Sequence, residues 1–139
     1  MAIWRFFDYV SGKENLRKSW YDQAGSKAQV EFMFSVKAIR DTKDFNHPLR
    51  KRDKKIFKAL ARDHKGLGEI CFSSGEGIHK KHFRPVGIWP PLKEMEFIFL
   101  LGCEKTRGTY IPPGAFDIAM RLRGQLLNGI GHIEEIIVV

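Results

Sequence analysis

The feature that most constrains the fold is an almost unbroken apolar run at residues 95–103, MEFIFLLGC. A β-strand with one solvated face alternates apolar and polar side chains, whereas a strand covered on both faces is apolar throughout. The run is too short for a membrane-spanning helix, which needs about 20 such residues. It therefore predicts a central strand with structure packed on both of its faces.

Other segments have the composition of strands. Residues 2–10 are rich in aromatic and β-branched types, and residues 78–88 are predicted to form a further strand. From Leu67 the apolar period becomes two, and the sequence SSGEG at residues 73–77 predicts a hairpin turn. The tail at residues 131–139 is expected to add an edge strand.

Helical signals lie near both ends of the chain. Two capping-box spacings predict a helical hairpin, with its second helix at about residues 27–42: Ser11 with Glu14, and Ser26 with Gln29. Pro112 and Pro113 predict the start of a last helix, which Gly129 ends. The intervening residues 44–48 interrupt the periodicity. After them, Ile56, Phe57 and Leu60 predict a loop with one helical piece.

These elements together predict an α+β fold: a small, twisted, mostly antiparallel sheet with an N-terminal helical hairpin and a C-terminal helix. The 139 residues fit one domain spanning 1–139, and 43% hydrophobic content is enough to fill one core. Cys71 and Cys103 are too few for a zinc site, so we expect no metal and no cofactor. The first residues lack a basic segment and a cleavage site, so we expect a cytoplasmic protein that does not contact membranes.

The chain is strongly basic, with 24 Lys and Arg against 16 Asp and Glu and a formal net charge of +8. Such an imbalance favours polyanionic partners, nucleic acid first and an acidic protein second. The charge is concentrated in residues 50–65, which hold eight Lys or Arg, and in residues 79–84. The expected RNA contacts are Arg50, Lys51, Arg52, Lys54, Lys55, Lys58, Arg62, Lys65 and Arg107.

Two segments carry side chains suited to phosphodiester chemistry. Alternation along the predicted strand 78–88 places Lys80, His82 and Arg84 on one face, where unpaired charge is costly to bury. This face is either a site or a solvated surface. After the central strand, the sequence GCEKTRGTYIPP supplies Lys105, Arg107 and Tyr110. Alternatively, the two cations belong to a charged loop, and Tyr110 packs against the start of the last helix.

Cleavage of RNA without a metal needs a base for the 2′-hydroxyl, cations for the phosphorane and an acid for the departing 5′-oxygen. His, Lys, Arg and Tyr side chains supply all of these functions. A metal-dependent route is less favoured, because the sequence shows no close Asp/Glu constellation.

Several motifs, in order, resemble the phage-derived branch of the RelE/HigB-like toxins. They cover about four fifths of the chain: FDYVSGKENLRKSW, GLGEICF, FRPVGIW, FIFLLGCEKT and YIPPGAFDIAMR. The resemblance implies a RelE-like fold and cleavage of messenger RNA, usually on the ribosome. It also implies neutralisation by a helix-turn-helix antitoxin. Cys71 and Phe83 depart from the branch, which often has an arginine and a tyrosine at these positions.

By the same resemblance, Arg84 stabilises the transition-state phosphate, Lys105 is the basic residue after the central strand, and Tyr110 stacks on a base or shares proton transfer. His82 and Lys80 are candidates to replace the two missing polar groups, with His82 as acid or base. The competing hypothesis is a non-catalytic basic interaction module, either a toxin relative that inhibits a protein such as gyrase or a phage protein that only binds nucleic acid.

Overall fold

The computed structural model describes residues 3–42, 56–75 and 77–138. Within them the helices are α1 (Leu16–Gln23), α2 (Ser26–Thr42) and α3 (Ala115–Leu127). The strands are β1 (Arg5–Val10), β2 (Phe57–Ala59), β3 (Leu67–Ile70), β4 (Phe72–Ser74), β5 (Lys81–Phe83), β6 (Val86–Ile88), β7 (Glu96–Leu101), β8 (Glu104–Thr106), β9 (Thr109–Ile111) and β10 (His132–Ile136). The chain is therefore α+β, as predicted.

The strands form two sheets. The first sheet has six strands in the order β10-β1-β7-β6-β3-β2, and all of its pairings are antiparallel except that of β1 with β7. The second sheet has four antiparallel strands in the order β4-β5-β8-β9. The predicted edge strand is confirmed, because β10 pairs with β1 at one edge of the first sheet.

Strand β7 lies inside the first sheet, and its two faces contribute to two separate cores. Phe97 and Phe99 pack in a cluster with Phe32 of α2, and Ile98 and Leu100 pack in a cluster that includes α3. All four β7 side chains are buried. The prediction of a strand covered on both faces is confirmed, and α2 and α3 provide the two covers.

Helix α1 is fixed to β1 by a buried ion pair. Arg17 donates two hydrogen bonds to the Asp8 carboxylate at 2.8 and 2.7 Å, and both side chains are buried. Asn15 caps α1, since its side chain accepts a hydrogen bond from the Lys18 amide. The predicted cap at Ser11 is wrong: Ser11 instead forms a β-bridge with Glu14, which leaves Asn15 as the residue preceding the helix.

The prediction of one continuous strand at residues 78–88 is wrong. Residues Gly77–His79 form a 3-10 turn, and the strand that follows is divided into β5 and β6, which belong to different sheets. Pro85 lies at the division, where a proline cannot donate to a strand ladder. Lys80, His82 and Arg84 therefore do not form one row on a single strand.

Two neighbouring segments of the chain pass from the first sheet to the second beside Arg84 and Pro85. β3 and β4 are separated at Cys71, and β7 and β8 are separated at Gly102 and Cys103. The Arg84 amide donates to the Cys103 carbonyl at 2.8 Å, and the Ile70 amide donates to the Pro85 carbonyl at 2.9 Å. These bonds hold side by side the three places where the chain passes between the sheets. We call this region the junction of the two sheets.

The segment at residues 56–65 also differs from its prediction. The apolar residues Ile56 and Phe57 are buried, and Phe57 begins β2 at the edge of the first sheet instead of a helical piece. Only the 3-10 turn Arg62–His64 is helical. The hairpin of β4 with β5 and the helix α3 are confirmed. The predicted loop at residues 44–48 lies outside the described residues.

Across the described ranges, no helix has both the length and the apolar character required to cross a bilayer.

Candidate active site at the junction of the sheets

Arg84 lies at the junction and its guanidinium is anchored by backbone oxygens. Its Nη1 donates to the carbonyl of Phe83 at 2.8 Å and approaches that of Phe72 at 3.4 Å. The Cys103 thiol donates to the Arg84 carbonyl. The side chain is half-buried, and these contacts fix where its positive charge lies. A fixed, partly exposed guanidinium is suited to binding a phosphate oxygen.

Glu69 of β3 is the buried carboxylate of this site, and it was not among the predicted residues. Its side chain is only 2% exposed, and its Oε2 accepts a hydrogen bond from the Tyr110 hydroxyl at 3.2 Å. Burial raises the pKa of the Glu69 carboxyl, and the positive charge of Arg84 partly offsets this shift. A carboxylate with a raised pKa is a stronger proton acceptor than an ordinary one.

Further cations surround Glu69. Lys58 of β2 lies directly across from it in the strand register, and the charges of Lys58 and Lys105 also lower its pKa. The sequence signal for Glu69 is its position in LGEICF, where it is the one charged residue in a strand that is otherwise apolar or glycine. A charge at such a position is rarely tolerated in a core without nearby partners.

A row of polar side chains crosses the second sheet. Ser73, His82, Lys105 and Tyr110 are directly opposite one another on β4, β5, β8 and β9. Directly opposed residues point to the same face of a sheet. The Ser73 hydroxyl and His82 Nδ1 are 3.0 Å apart, and Lys105 Nζ lies 5.6 Å from the centroid of the Tyr110 ring. The structure thus assembles His82, Lys105 and Tyr110 by strand pairing.

Tyr110 ends this row and is held by aromatic packing. Its ring centroid is 4.4 Å from that of Phe116 in α3, which in turn packs against His64 at 5.2 Å. Burial and then the charge of Glu69 raise the pKa of the Tyr110 phenol. The phenol therefore remains protonated at neutral pH. Packing against the last helix and a hydrogen bond to Glu69 occur together, so the two interpretations of Tyr110 are compatible.

The structure describes five of the remaining predicted residues, and all five are exposed. Arg107 is exposed in the β8–β9 turn, where it has a φ of 50°, and Lys58, Arg62 and Lys65 are also exposed. Lys80 is exposed and lines a cavity beside α2, apart from the row. The other predicted RNA contacts lie outside the described residues: Arg50, Lys51, Arg52, Lys54 and Lys55.

Phe83 and Cys71 are the two positions at which the sequence motifs are expected to depart from the toxins that they resemble. Phe83 is buried and stacks on Phe72 at 5.2 Å, on the face of β5 opposite to His82. Cys71 is half-buried at the junction. Neither residue adds a charge to the site. In the described part of the chain, no group of three or more His, Cys, Asp or Glu could hold a metal ion.

Comparisons of the chain with protein-family models, with curated proteins and with solved structures find no match.

Proposed function

We propose that this protein is a metal-independent endoribonuclease that cleaves messenger RNA and thereby inhibits translation. The observation that carries the proposal is the hydrogen bond from Tyr110 to the buried Glu69, with Arg84 close enough to affect the pKa of that carboxyl. It joins a proton acceptor, a phenol that can relay a proton to it and a phosphate-binding cation, and together these supply two of the functions that RNA cleavage by the 2′-hydroxyl requires, the base and the cation.

Because Glu69 is only 2% exposed, it acts on the substrate through Tyr110. The 2′-hydroxyl oxygen attacks phosphorus as its proton passes to the Tyr110 oxygen, and the Tyr110 proton passes to Glu69. The bond from phosphorus to the 5′-oxygen then breaks. His82 or Lys105 donates a proton to that oxygen, and Arg84 stabilises the phosphorane charge. The products are a 2′,3′-cyclic phosphate and a free 5′-hydroxyl.

The proposal extends to the fold family and the partners. A strand followed directly by two helices, and a helix after the central strands, support the RelE-like arrangement implied by the sequence motifs. The net charge of +8 supports RNA as the partner. We include the ribosome as the place of cleavage, a helix-turn-helix antitoxin as the neutralising partner and the cytoplasm as the location.

A second candidate is a non-catalytic basic module that binds nucleic acid or inhibits a protein such as gyrase. The buried Phe83 favours it, because an aromatic hydrocarbon occupies a position that is often a tyrosine in the toxins the motifs resemble. The row of Ser73, His82 and Lys105 lies on the opposite face and is not affected by this departure.

Brief expression in bacteria, with mapping of messenger RNA 5′ ends, separates the two candidates. The wild type should arrest growth and create new 5′ ends, and Arg84→Ala should abolish both. Lys93→Ala is the control, because it removes one exposed positive charge before β7, at the end of that strand far from the junction. Growth arrest without new ends would support a protein target. Absence of arrest would contradict the toxin.

A further inference from the structure

A cavity of about 500 Å³ lies between the start of α2 and the β4–β5 hairpin. The mechanism above does not use it. Its polar side chains are those of two lysines, three serines and one glutamate: Lys27, Lys80, Ser26, Ser73, Ser74 and Glu31. Ammonium and hydroxyl groups are donors to phosphate oxygens.

The cavity is continuous with the row on the second sheet through one residue. Ser73 lines the cavity, and its hydroxyl lies 3.0 Å from Nδ1 of His82. Lys105 and Tyr110 follow His82 in the register. Adjacent strands are about 4.8 Å apart, so the three steps from Tyr110 to Ser73 span roughly 14 Å. A single RNA strand bound along the row would reach the cavity within a few nucleotides.

We propose that this cavity is a second phosphate site, which binds a backbone phosphate of single-stranded RNA a few nucleotides away from the one that is cleaved. The inference rests on the proposed function. Lys27 and Lys80 neutralise the phosphate, and the hydroxyls of Ser73 and Ser74 donate to its oxygens. Glu31 faces the cavity as an acceptor for a 2′-hydroxyl, the group that distinguishes RNA from DNA.

The second site adds affinity for strands that are long enough to reach it. Tyr110 and Glu69 mark the reacting end of the row, and the cavity marks its other end. A substrate too short to reach Lys27 and Lys80 would keep its contacts to Arg84 and lose those in the cavity. The lysines of the cavity therefore bind RNA without touching the reacting atoms.

The salt dependence of RNA binding tests this site separately from cleavage. Binding of a labelled RNA of about twelve nucleotides would be measured at several salt concentrations in a Glu69→Gln background, which slows cleavage during the measurement. The double variant Lys27→Gln with Lys80→Gln should reduce the slope of log K against log salt by about 0.7, the value for one lost phosphate contact on a single strand. Lys93→Gln, an exposed lysine outside the cavity, is the control.

A slope for this double variant equal to that of Lys93→Gln would overturn the second site. If the wild type still cleaves RNA in that case, the proposed function stands and only the cavity assignment fails. A wild type that neither cleaves RNA nor binds it in a salt-dependent manner would overturn both proposals.

Discussion

The Tyr110 hydroxyl donates a hydrogen bond to Oε2 of Glu69 across 3.2 Å, and this bond links the second sheet to the first. The two residues are 41 positions apart in the sequence. Strand β9 brings the phenol over β3, where the carboxylate is buried. If the two side chains relay one proton, removing either of them should lower activity by about as much as removing both.

Glu69→Gln keeps the shape of the side chain and removes its capacity to accept a proton. We expect the rate of RNA cleavage to fall by about 10²- to 10⁴-fold, the usual contribution of general acid–base catalysis. Single-turnover cleavage of a defined RNA would measure this effect. Glu104→Gln, a carboxylate of the second sheet on the face of β8 opposite to Lys105, should retain most of the activity, and an equal loss there would contradict a specific role of Glu69.

Tyr110→Phe should lower the rate by a similar factor, because it interrupts the path from the substrate to Glu69. The double variant Glu69→Gln with Tyr110→Phe should then be no slower than either single variant. Cleavage rates of the wild type, the two single variants and the double variant, measured under identical conditions, complete this double-mutant cycle. Multiplicative losses in the double variant would show that the two side chains act independently.

The raised pKa of Glu69 also implies that the stability of the fold depends on pH. A carboxyl whose pKa is higher in the folded state than in the unfolded state favours folding when protonated, so the wild type loses stability as pH rises between the two pKa values. Glu69→Gln should therefore have a higher melting temperature than the wild type at neutral pH. The difference should vanish in acid, below both pKa values. Thermal unfolding of both proteins across this range measures it, and a lower melting temperature for the variant at pH 7 would refute the argument.

Gly87 in β6 is required by close packing. A Cβ at this position would lie 2.5 Å from the Ile98 carbonyl oxygen and from the Phe97 ring. Gly87→Ala should lower the free energy of unfolding by about 1–3 kcal/mol. Gly124→Ala is the matched control: its Cβ meets nothing within 4 Å, and in the interior of α3 it should raise stability by about 0.5–1 kcal/mol. Chemical denaturation would give the free energy of unfolding of both variants. Similar changes in the two would argue against the close approach of β7 to Gly87.

The ion pair of Asp8 with Arg17 should be costly to break. Arg17→Met leaves the Asp8 carboxylate buried without its main partner, and we expect a loss of about 3–5 kcal/mol in the free energy of unfolding. Arg121→Met, at an exposed position of α3, should change it by less than about 0.5 kcal/mol. Denaturant titration of both variants distinguishes them. A loss below 1 kcal/mol for Arg17→Met would mean that α1 is held mainly by apolar contacts.

The sequence predicted the elements whose signals are local. The apolar run of β7, the period of α2 and the prolines before α3 each specify a secondary structure without reference to the rest of the chain. The division of the predicted strand 78–88 was missed, although Pro85 provided a signal for it. The edge strand β2 was also missed, because Ile56 and Phe57 are apolar in a helix as well as in a strand.

The candidate site was only partly accessible to sequence reasoning. Residue type and motif resemblance indicate Arg84, His82, Lys105 and Tyr110, whereas Glu69 lies in a segment whose apolar pattern predicts only a core strand. The common face of Lys80, His82 and Arg84 was inferred from a strand that the structure divides. Cross-strand pairing places Lys105 and Tyr110 beside His82 instead.

By itself the sequence determined the class of the fold, the central strand and the basic character of the surface, because composition and short periodicities specify these properties. Only the tertiary structure decided which charges meet. The proximity of Glu69, Arg84 and Tyr110 depends on strand register between segments far apart in the chain, and on the junction where three strands pass from one sheet to the other. Register is set by the packing of whole faces, which no local pattern encodes.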